Sequence, residues 1–297
     1  MKADILLFLT ATIWGFAFVA QRVGMAHMGP FTFNGIRFSL GALSLLPLLL
    51  IRQRRAATPN KLPFRTILVP GLITGLTLFG GASLQQVGLV GTSAGKAGFI
   101  TGLYVILVPL LGLLWGRKAH PAHFGGAVLA VGGLYFLSVQ EGLTISVYDL
   151  IVLAGAFLWA VHVHLISRYS DSVGPLRLSV FQFAVCGLLS GLVAIFFETV
   201  TPGNLQDGIW TILYGSFLSV GLAYTLQVVA QRTAEPTHAV VILSLEGAFA
   251  ALGGWLILGE RLSLGDLLGS GLILAGMLIS QFLGKMPRNS AQSIAVD

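Results

Sequence analysis

The chain has 297 residues, of which 55% are hydrophobic and only 9% carry charge, and its mean hydropathy is +0.87. Soluble domains carry about 25% charged residues, so a soluble globular protein is excluded. The net charge of +6 does not mark a nucleic-acid binder, because the basic residues cluster in short segments between apolar runs, where they report topology.

The runs are long and continuous rather than short and alternating, which selects helices over a transmembrane barrel. Ten spans are predicted: Asp4–Gln21, Phe31–Ile51, Thr66–Val87, Thr92–Trp115, Pro121–Val139, Tyr148–Ser167, Leu176–Phe197, Trp210–Ala230, Thr237–Leu258 and Leu264–Gly284. The first run resembles a signal peptide, but it opens a repeat unit and nine spans follow it, so it is expected to stay as a helix. The longest connection, Arg52 to Arg65, holds five basic residues. The single cysteine, Cys186, falls mid-span and reads as a small core residue. The tail 285–297 is polar and expected to be cytoplasmic.

The ninth span carries the most informative residue. Glu246 is its tenth residue, and at 1.5 Å per residue that position lies near the bilayer midplane. An acid there costs about 2.5–3.5 kcal/mol on insertion scales and normally faces a cavity or a partner. Gly247, Ala251 and Gly254 follow on one face and admit a close neighbour.

Ten spans put both termini on one side. If that side is the cytoplasm, 13 of the 17 basic residues are inside, and only Arg22, Arg37, Lys96 and Arg261 lie outside or at the outer boundary. The chain also repeats itself. Trp14 recurs as Trp159 and Thr92 as Thr237, each 145 residues on; Gly116, Gly126 and Gly133 recur as Gly259, Gly269 and Gly276, each 143 on. Five spans are an odd number, so the second copy is inverted. The expected architecture is an all-α membrane protein of ten transmembrane helices in two inverted five-helix repeats, 1–139 and 140–284. Many secondary transporters are built this way, with the substrate at the midplane between the halves.

Several stretches resemble the EamA-type transporters of the drug/metabolite transporter superfamily. They are Ala11 to Gly15, Gly29-Pro30 with Arg37-Phe38, Gly98 to Pro121, and Ser244 to Ser263, where Glu260 closes the ninth span. The resemblance implies an inner-membrane carrier that exports or exchanges small metabolites, amino acids among them. Members commonly have proline after the mid-span acid; here the residue is Gly247.

Candidate site residues follow from helical spacing. Thr101 with Tyr104, Trp159 with His162, and Tyr224 with Gln227 are each three apart and share a face. With Gln182 and Glu246 they are candidates to line a polar lumen, the alternative being hydrogen bonds between helices. Glu246 reads either as a substrate-amine or proton site or as an interhelical bonding group; desolvation favours the neutral carboxyl, which suits a proton carrier. Trp14 and Trp159 read as aromatic walls for an apolar or cationic substrate or as core packing. His162 and His164, two apart, point to opposite sides and do not make a metal pair. His120 and His123 read as solvated. Lys96, Gln85 and Glu260 are outer-gate candidates, with a local Glu260–Arg261 pair as the alternative for the acid; Lys96 and Arg37 read either as groups that attract a substrate carboxylate or gate the outer end, or as snorkelling to the headgroups, the reading preferred for Arg37. No metal or cofactor is expected.

The function expected is secondary transport of a small solute, with protons as a candidate coupling ion, in a monomer or homodimer. A lipid or cell-wall precursor flippase is the alternative. Against an intramembrane enzyme, the sequence holds no HExxH, no GxSxG and no repeated intramembrane Asp/His set, and a non-transporting receptor gives no account of the repeat.

Overall fold

The computed structural model describes residues 2–55, 63–116, 120–138, 146–234, 239 and 242–283. Lys61, Arg117, Lys118, the 139/140 repeat boundary, Thr237 and the tail 285–297 lie outside the described residues.

The described residues form an all-helical bundle. The helices are α1 Lys2–Gly24, α2 Pro30–Arg55, α3 Phe64–Gly88, α4 Ala94–Gly112, α5 Pro121–Ser138, α6 Val147–Val173, α7 Pro175–Phe197, α8 Ile209–Gln231, α9 Leu245–Leu258 and α10 Leu264–Phe282. Nine are long and apolar enough to cross a membrane, and α9 is a shorter apolar helix. The protein is an all-α membrane protein, as its composition requires.

The helix ends are set by local chemistry. Ser93 accepts the Lys96 backbone N–H at the start of α4, and Ser263 with Asp266 makes a capping box at the start of α10. Gly116, past the end of α4, and Gly259, past the end of α9, both adopt left-handed backbone, with φ of 73° and 66°. The 143-residue glycine repeat therefore marks matching helix C-caps.

Packing is exchange-symmetric. The helices α2, α4 and α5 each pack against the helix five places on: α7, α9 and α10. The helix α3 packs on α6 and α7, as α8 packs on α1 and α2; α1 packs on α9, as α6 packs on α4. At the α5–α10 crossing, Gly126 and Gly276 face each other's carbonyl oxygens, and so do Gly133 and Gly269. The glycines allow the two backbones to touch, which is how membrane helices gain packing energy without a hydrophobic drive.

The outer surface is covered by exposed apolar side chains such as Leu114, Val128, Ile195 and Phe197, whereas Thr10, Asn34, Gln86 and Gln182 are buried. Polar groups collect inside, because lipid offers them no partners. His123 corrects the sequence reading: it is buried, and its ring nitrogen Nδ1 bonds the Ser280 hydroxyl at 2.9 Å, joining α5 to α10. Its position two residues into α5 turns the ring onto α10 rather than into the loop.

Gly126→Leu is expected to cost about 1–3 kcal/mol by overpacking. Gly132→Leu, whose face of the same helix is open, is expected to be near neutral. Thermal melts of the two purified variants in detergent check the contrast.

Candidate functional site

The helices wall a partly open cavity with about 460 Å³ of space free of atoms, a figure that includes its opening to solvent. Seven helices wall it: α1 (Trp14, Phe18, Gln21), α2 (Arg37), α3 (Gln85), α4 (Thr101, Tyr104), α6 (Trp159, His162, Val163), α8 (Ser219, Tyr224, Gln227) and α9 (Glu246).

The helices are irregular where they meet it. The fourth helix tightens at Leu103 (φ −58°, ψ −19°) and the chain entering α9 tightens at Ser244 (φ −62°, ψ −17°). Shorter i→i−3 bonds appear there, Leu103 N to Ile100 O at 3.1 Å and Gly247 N to Ser244 O at 3.2 Å. Tyr104 and Glu246 follow directly. The distortion at the start of α9 thus lies two residues before the acid and involves no proline. The eighth helix widens to a π-helix over Tyr214–Tyr224. Trp14 Nε1 donates to Ser219 O at 3.2 Å and Thr10 Oγ1 to Ala223 O at 3.3 Å, which fastens α1 to that stretch.

Tyr224 is the aromatic hub. Its ring centroid lies 4.5 Å from Trp14, 5.7 Å from Phe183, 6.0 Å from Phe38 and 6.1 Å from Trp159. The two repeat-related tryptophans therefore meet across one tyrosine. Trp159 Nε1 also donates to Gln85 Oε1 at 3.0 Å, and Gln85 Nε2 donates to Gln21 Oε1 at 3.1 Å.

Glu246 is 3% exposed and stands beside Tyr104. The two do not complete a bond of good geometry. Thr101 Oγ1, Tyr104 Oη, Gln227 Oε1 and Glu246 Oε1 are all buried without a hydrogen-bond partner. These four share one cavity wall.

Of the nine residues expected at the midplane, eight line this cavity. Gln182 does not; it is fully buried behind the wall, where its Oε1 lies 2.8 Å from His162 Nε2. Among the outer-gate candidates, Gln85 is in the cavity wall itself. Lys96 pairs with Asp266 at 2.9 Å and donates to Leu137 O at 2.9 Å. The Glu260 carboxylate accepts the Ala94 and Gly95 backbone N–H groups at 2.8 and 3.2 Å, tying the end of α9 to the start of α4. His164 turns away from His162, to Val108 O, and no group of three or more metal-ligating side chains occurs among the described residues.

Sequence reasoning placed Arg37 at the headgroups, and the structure corrects this: it is 2% exposed and faces the cavity. The overlooked signal is Asn34 three residues earlier on the same face, a polar partner that draws the guanidinium inward. Gln21 and Phe18 were also passed over, although Trp14, Phe18 and Gln21 at i, i+4 and i+7 share one face. Glu198, not singled out from sequence, caps α2 through the Phe31 and Thr32 backbone N–H groups at 2.9 and 2.7 Å.

A sequence model described as the EamA-like transporter family matches residues 1–139 and 146–282. An uncharacterized transporter of Archaeoglobus fulgidus is 34% identical over 94% of this chain and 85% of its own length. The threonine/homoserine exporter RhtA of Escherichia coli is 29% identical, over 92% of this chain and 89% of that one. A probable amino-acid metabolite efflux pump of the same organism is 25% identical over 95% of both chains. A solved crystal structure superposes with TM-score 0.69 at 20% identity, covering 95% of this chain and 97% of that one, so the two share a fold.

Replacing His162 with Phe strands Gln182 and is expected to cost about 1–3 kcal/mol. Adding Gln182→Leu removes the stranded amide and is expected to recover most of that loss. A double-mutant cycle of thermal melts in detergent measures the recovery.

Proposed function

The chain belongs to the EamA-like transporter family, and from that premise we propose a secondary carrier that moves a small organic solute by alternating access. The observation that carries this reading is the polar-and-aromatic cavity walled by helices from both matched segments. Rocking of two halves about such a site exposes it to each side in turn. On this reading the halves are inverted repeats, 1–139 and 140–284. Both termini are cytoplasmic, the membrane is the bacterial inner membrane, and the protein works as a monomer or homodimer.

The cargo proposed is an amino acid or a related amphipathic metabolite, moved outward. The names of RhtA and the efflux pump support this direction and class. Trp14, Tyr224 and Trp159 supply apolar faces for such a solute, and Thr101, Tyr104 and Gln227 supply polar atoms. Glu246 is the proposed proton or amine site. Buried, unpaired at Oε1 and next to the distorted start of α9, it has a charge state that differs in cost between two arrangements of the bundle. The enzyme and receptor alternatives give way to membership of a transporter family.

Flux of labelled amino acids into proteoliposomes, with and without a pH gradient, tests the reading. Wild type is expected to respond to the gradient. Glu246→Gln is expected to lose that response while still exchanging solute. Normal gradient-driven transport by the variant would remove Glu246 from the mechanism.

A further inference from the structure

Arg37 is not accounted for by the mechanism above. It is the one arginine or lysine in the cavity wall and one of the largest fully buried side chains. A guanidinium withdrawn from both water and headgroups is costly unless an anion or several acceptors meet it. Among the described residues no carboxylate pairs with it, whereas Lys96 pairs with Asp266 and Arg232 with Asp171.

What surrounds the guanidinium holds it without neutralising it. Nε donates to Asn34 Oδ1 at 2.9 Å. Asn34 Nδ2 donates to the Ala82 backbone carbonyl at 3.1 Å, so the amide presents its oxygen to Arg37. The Phe33 and Phe38 rings lie 5.4 and 4.8 Å from Cζ. They offset part of the desolvation but accept no conventional hydrogen bond. With Nε engaged, the terminal amino groups remain, and a planar pair of N–H donors matches a carboxylate bidentately.

We propose that Arg37 is the carboxylate-binding residue of the cavity, held in place by Asn34, and that the carried solute bears a carboxylate. This rests on the reading of the cavity as a transport site. A phosphate dianion fits poorly, because one cation stands in a wall that also holds an acid. Glu246 in the same wall favours a positive group at the other end of the solute, and Tyr224 stands within electrostatic reach of both residues. The match is a zwitterion, with its carboxylate on Arg37 and its ammonium toward Glu246.

The test compares acids with their amides. L-Threonine, L-phenylalanine and L-lactate are each paired with the corresponding amide. Binding to the purified full chain is measured by calorimetry in detergent, and flux is measured in proteoliposomes. At least one acid is expected to bind wild type tenfold or more tightly than its amide. Arg37→Gln should bring that ratio to within about twofold, chiefly through loss of acid binding. Arg37→Lys, which keeps the charge but not the fork, should fall between and guards against a Gln variant that does not fold. The proposal is overturned if wild type shows no such preference for any pair, or if a folded Arg37→Gln or Arg37→Lys keeps the full preference. Preferential binding without flux would leave the subsite standing and remove the carrier reading; flux without preference would do the reverse.

Discussion

A bilayer core supplies no hydrogen-bond partners, so each polar group in a membrane span must be satisfied within the protein or faces a heavy cost. That constraint turns this chain inside out relative to a soluble domain. Leucine, valine and phenylalanine cover the outside, while glutamine, threonine, histidine, one arginine and one glutamate gather at the centre. Most central groups are paired: His162 with Gln182, Trp159 with Gln85, and Gln85 with Gln21. Thr101, Tyr104, Gln227 and Glu246, in the wall formed by α4, α8 and α9, are among the buried polar groups that have an atom without a partner.

The same constraint explains the glycines. With no hydrophobic drive between helices in lipid, association depends on close van der Waals contact. Glycine supplies it at the crossing of α5 with α10, and Gly98 lies against Gly247 where α4 meets α9. Both crossings join helices related by the repeat. The smooth faces thus lie where helices of the two matched segments meet.

The charged residues outside the cavity do a different job. Glu198 holds the start of α2 to the end of α7, and Glu260 holds the start of α4 to the end of α9. Carboxylates on helix N-termini are favourable electrostatically and satisfy backbone N–H groups that would otherwise lack partners. Both clamps join helices five places apart at the end of the bundle where α2 and α4 begin. Lys96 with Asp266 adds a third tie there, between α4 and α10. These contacts fix helix ends, whereas the distortions at Leu103 and Ser244 lie at the cavity.

The sequence by itself determined the membrane class, the helix count and much of the cavity wall. Hydropathy, the cost of a mid-span acid and the spacing of polar residues on helical faces are all local properties. They were enough to bring Glu246, Tyr104, Trp159 and Gln227 forward and to show the repeat of Gly116 in Gly259, which the structure identifies as matching C-caps. Tertiary structure decided what depends on which helix lies opposite. Gln182 was set behind the wall because α6 interposes His162. Gln85 was brought into the cavity because Trp159 bonds it. Arg37 was turned inward rather than toward the headgroups because Asn34 and two phenylalanine rings receive it. A long side chain near a helix end can reach either medium, and only the neighbours supplied by other helices determine which it enters.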